Sequence, residues 1–248
     1  MAWQCSGSTN EELIDNMFKN GLITSGRVRD AMKNVDRKYY TPSTAPAIAY
    51  ADSPQSIGHS ATISAPHMHA SACEALLPYL ATGNKVLDIG SGSGYLTAIF
   101  AELVVVPEGQ RPGGTAQVVG LEHIPQLREL GELNLAKSRR GKELLASGKV
   151  SFVLGDGRKG WKLPSASGEG EMEEEIWDAI HVGAAAKVLH PELVKQLKAP
   201  GRLFIPVEEE EHGNGQQWIW VVDKDENGVV TKKRAEGVRY VPLTDRPA

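Results

Sequence analysis

The stretch Val86-Leu87-Asp88-Ile89-Gly90-Ser91-Gly92-Ser93-Gly94-Tyr95-Leu96-Thr97 constrains this chain more than any other. A short apolar run ends in three glycines at alternate positions, and a helical pattern from Tyr95 to Val106 follows at once. Glycine permits the tight turn and lets backbone approach a ligand closely. The first amides of the helix then face whatever sits there. The strand, loop and helix that such a motif requires are all present. Its spacing separates two ligand classes. The G-x-G-x-x-G loop cradles a pyrophosphate. This chain reads G-x-G-x-G, with Asp88 two residues ahead of the first glycine. A carboxylate there repels a pyrophosphate and suits a ligand carrying positive charge.

Downstream, apolar runs alternate with helical spacing. Gln117 to Glu122, Val150 to Leu154, Trp177 to Val182 and Arg202 to Val207 read as strands. Helices are expected from Ile124 to Arg139 and through Val188, Leu189, Leu193, Val194 and Leu197. Such alternation predicts an α/β fold, a parallel, doubly wound sheet with helices on both faces. Trp218 to Val222 and a strand within Gly228 to Tyr240 lack intervening helices and are expected to be antiparallel at one edge. Upstream, Thr9-Asn10-Glu11-Glu12 opens a helix with Leu13, Ile14, Met17 and Phe18 on one face. A second helix from Ser25 turns Val28, Met32 and Val35 inward. Pro66 suits the first turn of a third, carrying Met68, Cys73, Leu76, Leu77 and Leu80. Pro107 to Thr115 and Pro164 to Glu175 are turn-rich or acidic and read as solvated surface loops. One domain is expected over 1–248: helices and a polar lid over 1–80, an α/β core over 85–207 and C-terminal strands over 208–248.

The chain's 248 residues, 41% hydrophobic, suffice for one sizeable core. A net charge of -4 argues against nucleic-acid or membrane binding driven by bulk charge. The two cysteines, Cys5 and Cys73, read as free thiols of a reducing compartment. The N-terminus has no secretory pattern, and no apolar run approaches the roughly 20 residues needed to span a bilayer. A cytoplasmic protein is expected, monomeric because no apolar surface stripe stands out.

The ligand that meets the demands of the glycine loop is S-adenosylmethionine (AdoMet), which carries a sulfonium and an ammonium. Glu122 ends the second strand, where an acid accepts hydrogen bonds from ribose hydroxyls. Asp156-Gly157, after the third strand, either faces an adenine edge or forms an ordinary turn. A nucleotide-dependent oxidoreductase on a Rossmann-like fold is the alternative, and the glycine spacing and Asp88 count against it. A non-catalytic AdoMet-binding adaptor is a third reading.

The segment Asp52 to His69 (DSPQSIGHSATISAPHMHA) is polar and precedes the Pro66 helix. Its serines and histidines suggest a hydrolase, yet no G-x-S-x-G elbow exposes a nucleophile. His67 and His69 lack a third ligand and the i, i+4 spacing of a helical pair, so no metal is expected. His59 and His67 read as capping or packing residues, and His181 as a satisfied core or strand-end histidine.

This polar segment, VLDIGSGSGYLTA, GDGR at Gly155 to Arg158, DAIHVGAAA at Asp178 to Ala186 and YVPLTD at Tyr240 to Asp245 together resemble the protein-L-isoaspartate (D-aspartate) O-methyltransferase family, its eukaryotic-type branch in particular. The resemblance runs from Ala2 to the C-terminus. It implies a seven-stranded AdoMet-dependent methyltransferase fold, Rossmann-like, with an N-terminal helical extension. It implies methyl transfer to the α-carboxylate of L-isoaspartyl residues of damaged proteins and peptides, with D-aspartyl residues as the second acceptor in the family's name. The cofactor is AdoMet and its product S-adenosyl-L-homocysteine. The ester then collapses to a succinimide whose hydrolysis returns some normal linkage.

Matched residue by residue, Ala61, Thr62, Ile63 and Ser64 correspond to the loop that covers AdoMet and meets the substrate, with Ser64 the active-site serine. His69 and Ser93 correspond to cofactor-site positions, Glu122 to the ribose acid (usually Asp), and Asp156 and Gly157 to the adenine-side pair. Thr244 corresponds to the position that closes over the site. Asp88, Gly90, Ser91, Gly92 and Gly94 of the loop, and His123 beside Glu122, complete the expected cofactor site. The two surface loops are longer than the family pattern, and the chain stops soon after Thr244.

A carboxylate is already ionised at neutral pH, so its methylation needs no general base. Ser64 is therefore expected to orient the acceptor rather than attack. Three Asn-Gly pairs, Asn20-Gly21, Asn214-Gly215 and Asn227-Gly228, are expected to age to isoaspartate and make the protein its own substrate.

Overall fold

The computed structural model describes residues 5–43, 45–105, 116–163, 176–209 and 215–244. Both surface loops read from the sequence and Asn214 lie outside them, as do the residues beyond Thr244.

Thr9 caps α1 (Asn10–Lys19), accepting from the Glu12 amide, and Ser25 caps α2 (Gly26–Asn34). Leu13, Ile14 and Met17 are buried, but Phe18 is 37% exposed, beneath the Arg29 guanidinium. A short α3 (Pro46–Ala49) leads to the first departure from the polar lid. Within that segment β1 (Gln55–Gly58) and β2 (Ala61–Ile63) pair antiparallel. The two residues between them, His59 and Ser60, have φ of 52° and 58°. Two consecutive left-handed residues make the tight turn whose twist matches a hairpin. The strand pair escaped the sequence because both strands are largely solvated and carry almost no apolar alternation. After it, α4 (Pro66–Leu76) begins with Pro66 at its first turn, as expected.

The core follows: β3 (Lys85–Ile89), α5 (Tyr95–Val104), β4 (Gln117–Glu122), α6 (Pro125–Leu135), α7 (Arg139–Ala146), β5 (Val150–Leu154), β6 (Trp177–Val182), α8 (Pro191–Gln196), β7 (Leu197–Glu209), β8 (Gln216–Lys224) and β9 (Val230–Val238). The sheet has seven strands in the order β5-β4-β3-β6-β7-β8-β9. The first five are parallel, and β8 and β9 add an antiparallel edge.

Neighbouring residues of each central strand feed opposite cores. Val86, Val118 and Val150 join one apolar cluster with α1, α2, α4 and α5, while Leu87, Val119 and Ile180 join the other. Burial on both faces explains the near-continuous apolar runs.

Two expected helices differ. The segment read as one helix from Ile124 to Arg139 breaks, because Ser138 accepts from the Gly141 amide and caps α7. Leu133, at helical spacing from Ile124, Leu127 and Leu130, is 57% exposed. α8 starts only at Pro191, and Val188 is 57% exposed, because Ala185 and Ala186 are held in bridges to Pro242 and Val207.

Candidate active site

A crevice opens beyond the C-terminal ends of β3, β4 and β6. Chain order reverses across β3 there, the position where α/β sheets bind ligands. The glycine loop forms its floor. Gly90, Gly92 and Gly94 have φ of 74°, 49° and 81°. A Cβ on Gly94 would lie 2.9 Å from the Gly131 carbonyl oxygen, so only glycine fits that turn. The Gly90 amide donates to the Leu121 carbonyl (2.8 Å), tying the loop to β4.

Two motifs far apart in sequence dock on each other at the rim. The Ala185 amide donates to the Val241 carbonyl (2.8 Å), and the Leu243 amide donates to the Ala185 carbonyl (2.7 Å). This pairing carries Thr244 into the wall of the crevice.

The crevice holds two adjoining cavities. Ala61 and Thr62 of the hairpin, Gly90 and Gly92, Glu122 and His123, Gly157 and Thr244 line the first. Ile89, Leu121, Ile124, Leu127 and Leu243 give it apolar walls. A Cβ on Gly157 would lie 2.4 Å from Ile89 Cγ2, so backbone lies flush against that wall. An apolar slot beside a nearly buried carboxylate fits a flat base joined to a hydroxylated sugar. Thr62, Ile63, Ser64, His69, Asp88, Ser91, Ser93 and His181 line the second cavity. The two share Thr62, Gly90, Gly92 and Gly183.

Fourteen of the expected site positions thus border one cavity or the other, and Gly94 and Asp156 border neither. Gly94 serves the turn. The Asp156 carboxylate accepts from the Arg158 amide, Nε and Nη2 at 2.9–3.0 Å. That hydrogen-bonded guanidinium holds its carboxyl below the ordinary range. Asp88, read as facing a cation, has both oxygens engaged inside the protein. One accepts from Thr97 Oγ1 (2.5 Å) and the other meets His181 Nδ1 (2.8 Å).

His181 is satisfied by that pair, yet it also borders the second cavity with Tyr240, and sequence reasoning assigned neither to the site. A histidine among the apolar residues of β6, facing the β3 aspartate one strand away, was the available signal. The register Asp88↔His181 supplies it only once the sheet is known. His67 Nδ1 pairs with Asp52 Oδ1 (2.8 Å), which also accepts from the His67 amide (3.1 Å) at the start of α4. His67 thus keeps the capping and packing role expected of it. His69 is 8% exposed and holds its edge against the Tyr95 ring. Burial, and then the nearby Arg37, push its pKa well below the ordinary histidine range, so it is neutral at pH 7. No group of three potential metal ligands occurs among the described residues, and no described helix is long and apolar enough to cross a membrane.

Comparison with known proteins agrees with this architecture. The family model for protein-L-isoaspartate(D-aspartate) O-methyltransferase matches residues 8–248. A Caenorhabditis elegans protein-L-isoaspartate O-methyltransferase is 46% identical over 246 residues, 99% of this chain and 97% of that one. Protein-L-isoaspartate O-methyltransferase 1 of Arabidopsis thaliana is 43% identical over 96% of this chain and 93% of its own. A Plasmodium falciparum crystal structure assigned to the same activity, in complex with S-adenosyl-L-homocysteine, superposes with a TM-score of 0.79. It is 32% identical and covers 95% of this chain and 98% of its own. With the family model matching nearly the whole chain and relatives more than 40% identical along its length, the chain belongs to the protein-L-isoaspartate(D-aspartate) O-methyltransferase family.

Proposed function

We propose that this chain methylates the α-carboxylate of L-isoaspartyl residues in proteins and peptides, with the first cavity holding AdoMet and the second the acceptor. The observation that carries the assignment of the two cavities is their junction at Thr62, Gly90, Gly92 and Gly183, with Ser64 on the acceptor side. Bound AdoMet supplies a methyl group on a sulfonium. The protein's part is placement, since the acceptor arrives ionised. Glu122 accepts the sugar hydroxyls, and the apolar walls take the base. The hairpin and the docked tail close over the junction and exclude water, which favours an aligned, desolvated carboxylate. The Ser64 hydroxyl donates to that carboxylate and fixes its in-line approach. Neutral His69 adds no competing charge. Asp88, through His181, braces the acceptor cavity rather than meeting the ligand's ammonium directly.

The alternative of a nucleotide-dependent oxidoreductase loses its basis with the family. Monomeric action in the cytoplasm is part of the proposal, as is a single catalytic domain over the whole chain. Two buried free thiols and scattered exposed apolar side chains support it.

The test uses labelled AdoMet with an isoaspartyl peptide and its normal aspartyl counterpart. Label in the isoaspartyl peptide alone supports the proposal, and equal label in both overturns it. Ser64→Ala is expected to lower kcat/KM about tenfold to a hundredfold, the worth of one hydrogen bond to a charged group, with AdoMet affinity within threefold of the parent.

A further inference from the structure

Arg37 is fully buried, in the short turn Arg37–Tyr39 between α2 and α3. Its Nη2 donates to the carbonyl of Ser64 (2.9 Å), and its guanidinium lies 5.1 Å from the centroid of the Tyr95 ring. Its Nε and Nη1 make no well-aligned hydrogen bond among the described residues, the adjacent Tyr95 hydroxyl being the polar neighbour that interacts with it, and no ion pair joins it to a described carboxylate. The Tyr95 hydroxyl and then Asp52 favour its charge; one Asp52 oxygen already serves His67, and the other has no partner among the described residues. Burial lowers the Arg37 pKa to about 10, which still leaves it cationic at neutral pH.

A buried guanidinium with two unpaired nitrogens is costly, and an apolar side chain of similar volume would fill the space at lower cost. An unpartnered buried polar group calls for an explanation. Here the explanation lies one residue away. The Ser64 carbonyl that Arg37 holds belongs to the residue that faces the acceptor cavity. His69, whose Nδ1 also lacks a partner among the described residues, borders the same cavity and packs against the same Tyr95 ring. Arg37 thus stands directly behind the place where an anionic group arrives, screened from water by protein.

We infer that Arg37 is a positioning residue for the acceptor: it fixes the Ser64 peptide and supplies a buried positive charge that favours a carboxylate over its neutral ester. The inference rests on the acceptor assignment of Ser64. It has a consequence for turnover. Methyl transfer removes the substrate's charge, so the same arginine that draws the acid in has no hold on the ester, and product release is favoured.

The experiment measures binding of an isoaspartyl peptide and of its α-methyl ester to the protein saturated with S-adenosyl-L-homocysteine. The parent is expected to prefer the acid by about tenfold or more, the scale of a charge interaction at partial burial. That preference should survive a change from low to high salt, because buried charges are weakly screened. Arg37→Met is expected to lose most of the preference, with acid affinity falling and ester affinity within threefold of the parent. Arg37→Lys should restore part of it. Equal weakening of acid and ester in both variants would reduce Arg37 to a structural staple and overturn the inference. So would a parent that binds acid and ester alike, a result that stands even where Arg37→Met fails to fold. Ser64→Ala, measured alongside, separates the two ideas: turnover unchanged there, with the acid preference still lost in Arg37→Met, removes the role of the hydroxyl and keeps that of the charge.

Discussion

The carboxylate of Glu122 accepts a hydrogen bond from the amide of Gly92, 3.0 Å away, and so ties the end of β4 to the glycine loop. Its other oxygen accepts from the amides of His123 (2.8 Å) and Ile124 (3.1 Å). One side chain therefore sets the loop and the cavity wall together. Glu122→Ala is expected to weaken AdoMet about tenfold to a hundredfold, and Glu122→Asp, one methylene shorter, by less. Calorimetric titration with AdoMet checks this, and affinity within threefold of the parent for the alanine variant would sink it.

The Asp88–His181 pair makes a prediction about stability. Asp88 is 1% exposed, and His181→Leu leaves its carboxylate with Thr97 alone. Losing one hydrogen bond to a buried charge costs about 2 kcal/mol. For a chain of this length that lowers the melting temperature by about 4–8 °C. Differential scanning calorimetry reads it directly, and an unchanged melting temperature would show that the pair contributes nothing.

His69 gives a pH dependence. Its folded pKa is depressed by burial and by Arg37, while the unfolded chain takes a proton near the ordinary value of about 6.5. Below that pH the unfolded state binds a proton that the folded state refuses. Stability from this group is therefore complete above about pH 6.5 and falls as pH drops, by at most about 1.4 kcal/mol per pH unit. His69→Gln should flatten the loss between pH 7.5 and 5 in urea unfolding. Parallel curves for variant and parent would contradict the assignment.

The Asn227–Gly228 turn bears on ageing. Succinimide formation needs the glycine amide to reach the asparagine side chain, but the Gly228 amide donates to the Asp225 carbonyl (3.0 Å). Asp225 Oδ1 also accepts from the Asn227 and Val229 amides, both at 2.8 Å. Gly21, after Asn20, likewise donates to the Phe18 carbonyl (3.1 Å). Asn227 should therefore form isoaspartate more slowly in the folded chain than in a peptide of the same sequence, and Asp225→Ala should speed it. Mass spectrometry after storage decides, and equal rates in protein and peptide would refute the protection.

What the sequence determined was local. Apolar runs on both sides of a glycine loop specified buried parallel strands, because a strand covered on both faces needs apolar residues at every position. The helix starts at Thr9-Asn10, Ser25 and Pro66 were legible because each depends on neighbours within a few residues. The hairpin Gln55–Ile63 was hidden because its strands are too exposed to carry an apolar rhythm. Pairings distant in sequence could not be read at all. Asp88 meets His181 only through strand register, Val241 meets Ala185 only through the docked tail, and Arg37 meets Ser64 only through chain packing. The sequence by itself determined which residue types carry the chemistry. Tertiary structure decided which of their polar atoms remain free for a ligand, because a hydrogen bond already made inside the protein is set by three-dimensional neighbours and not by spacing along the chain.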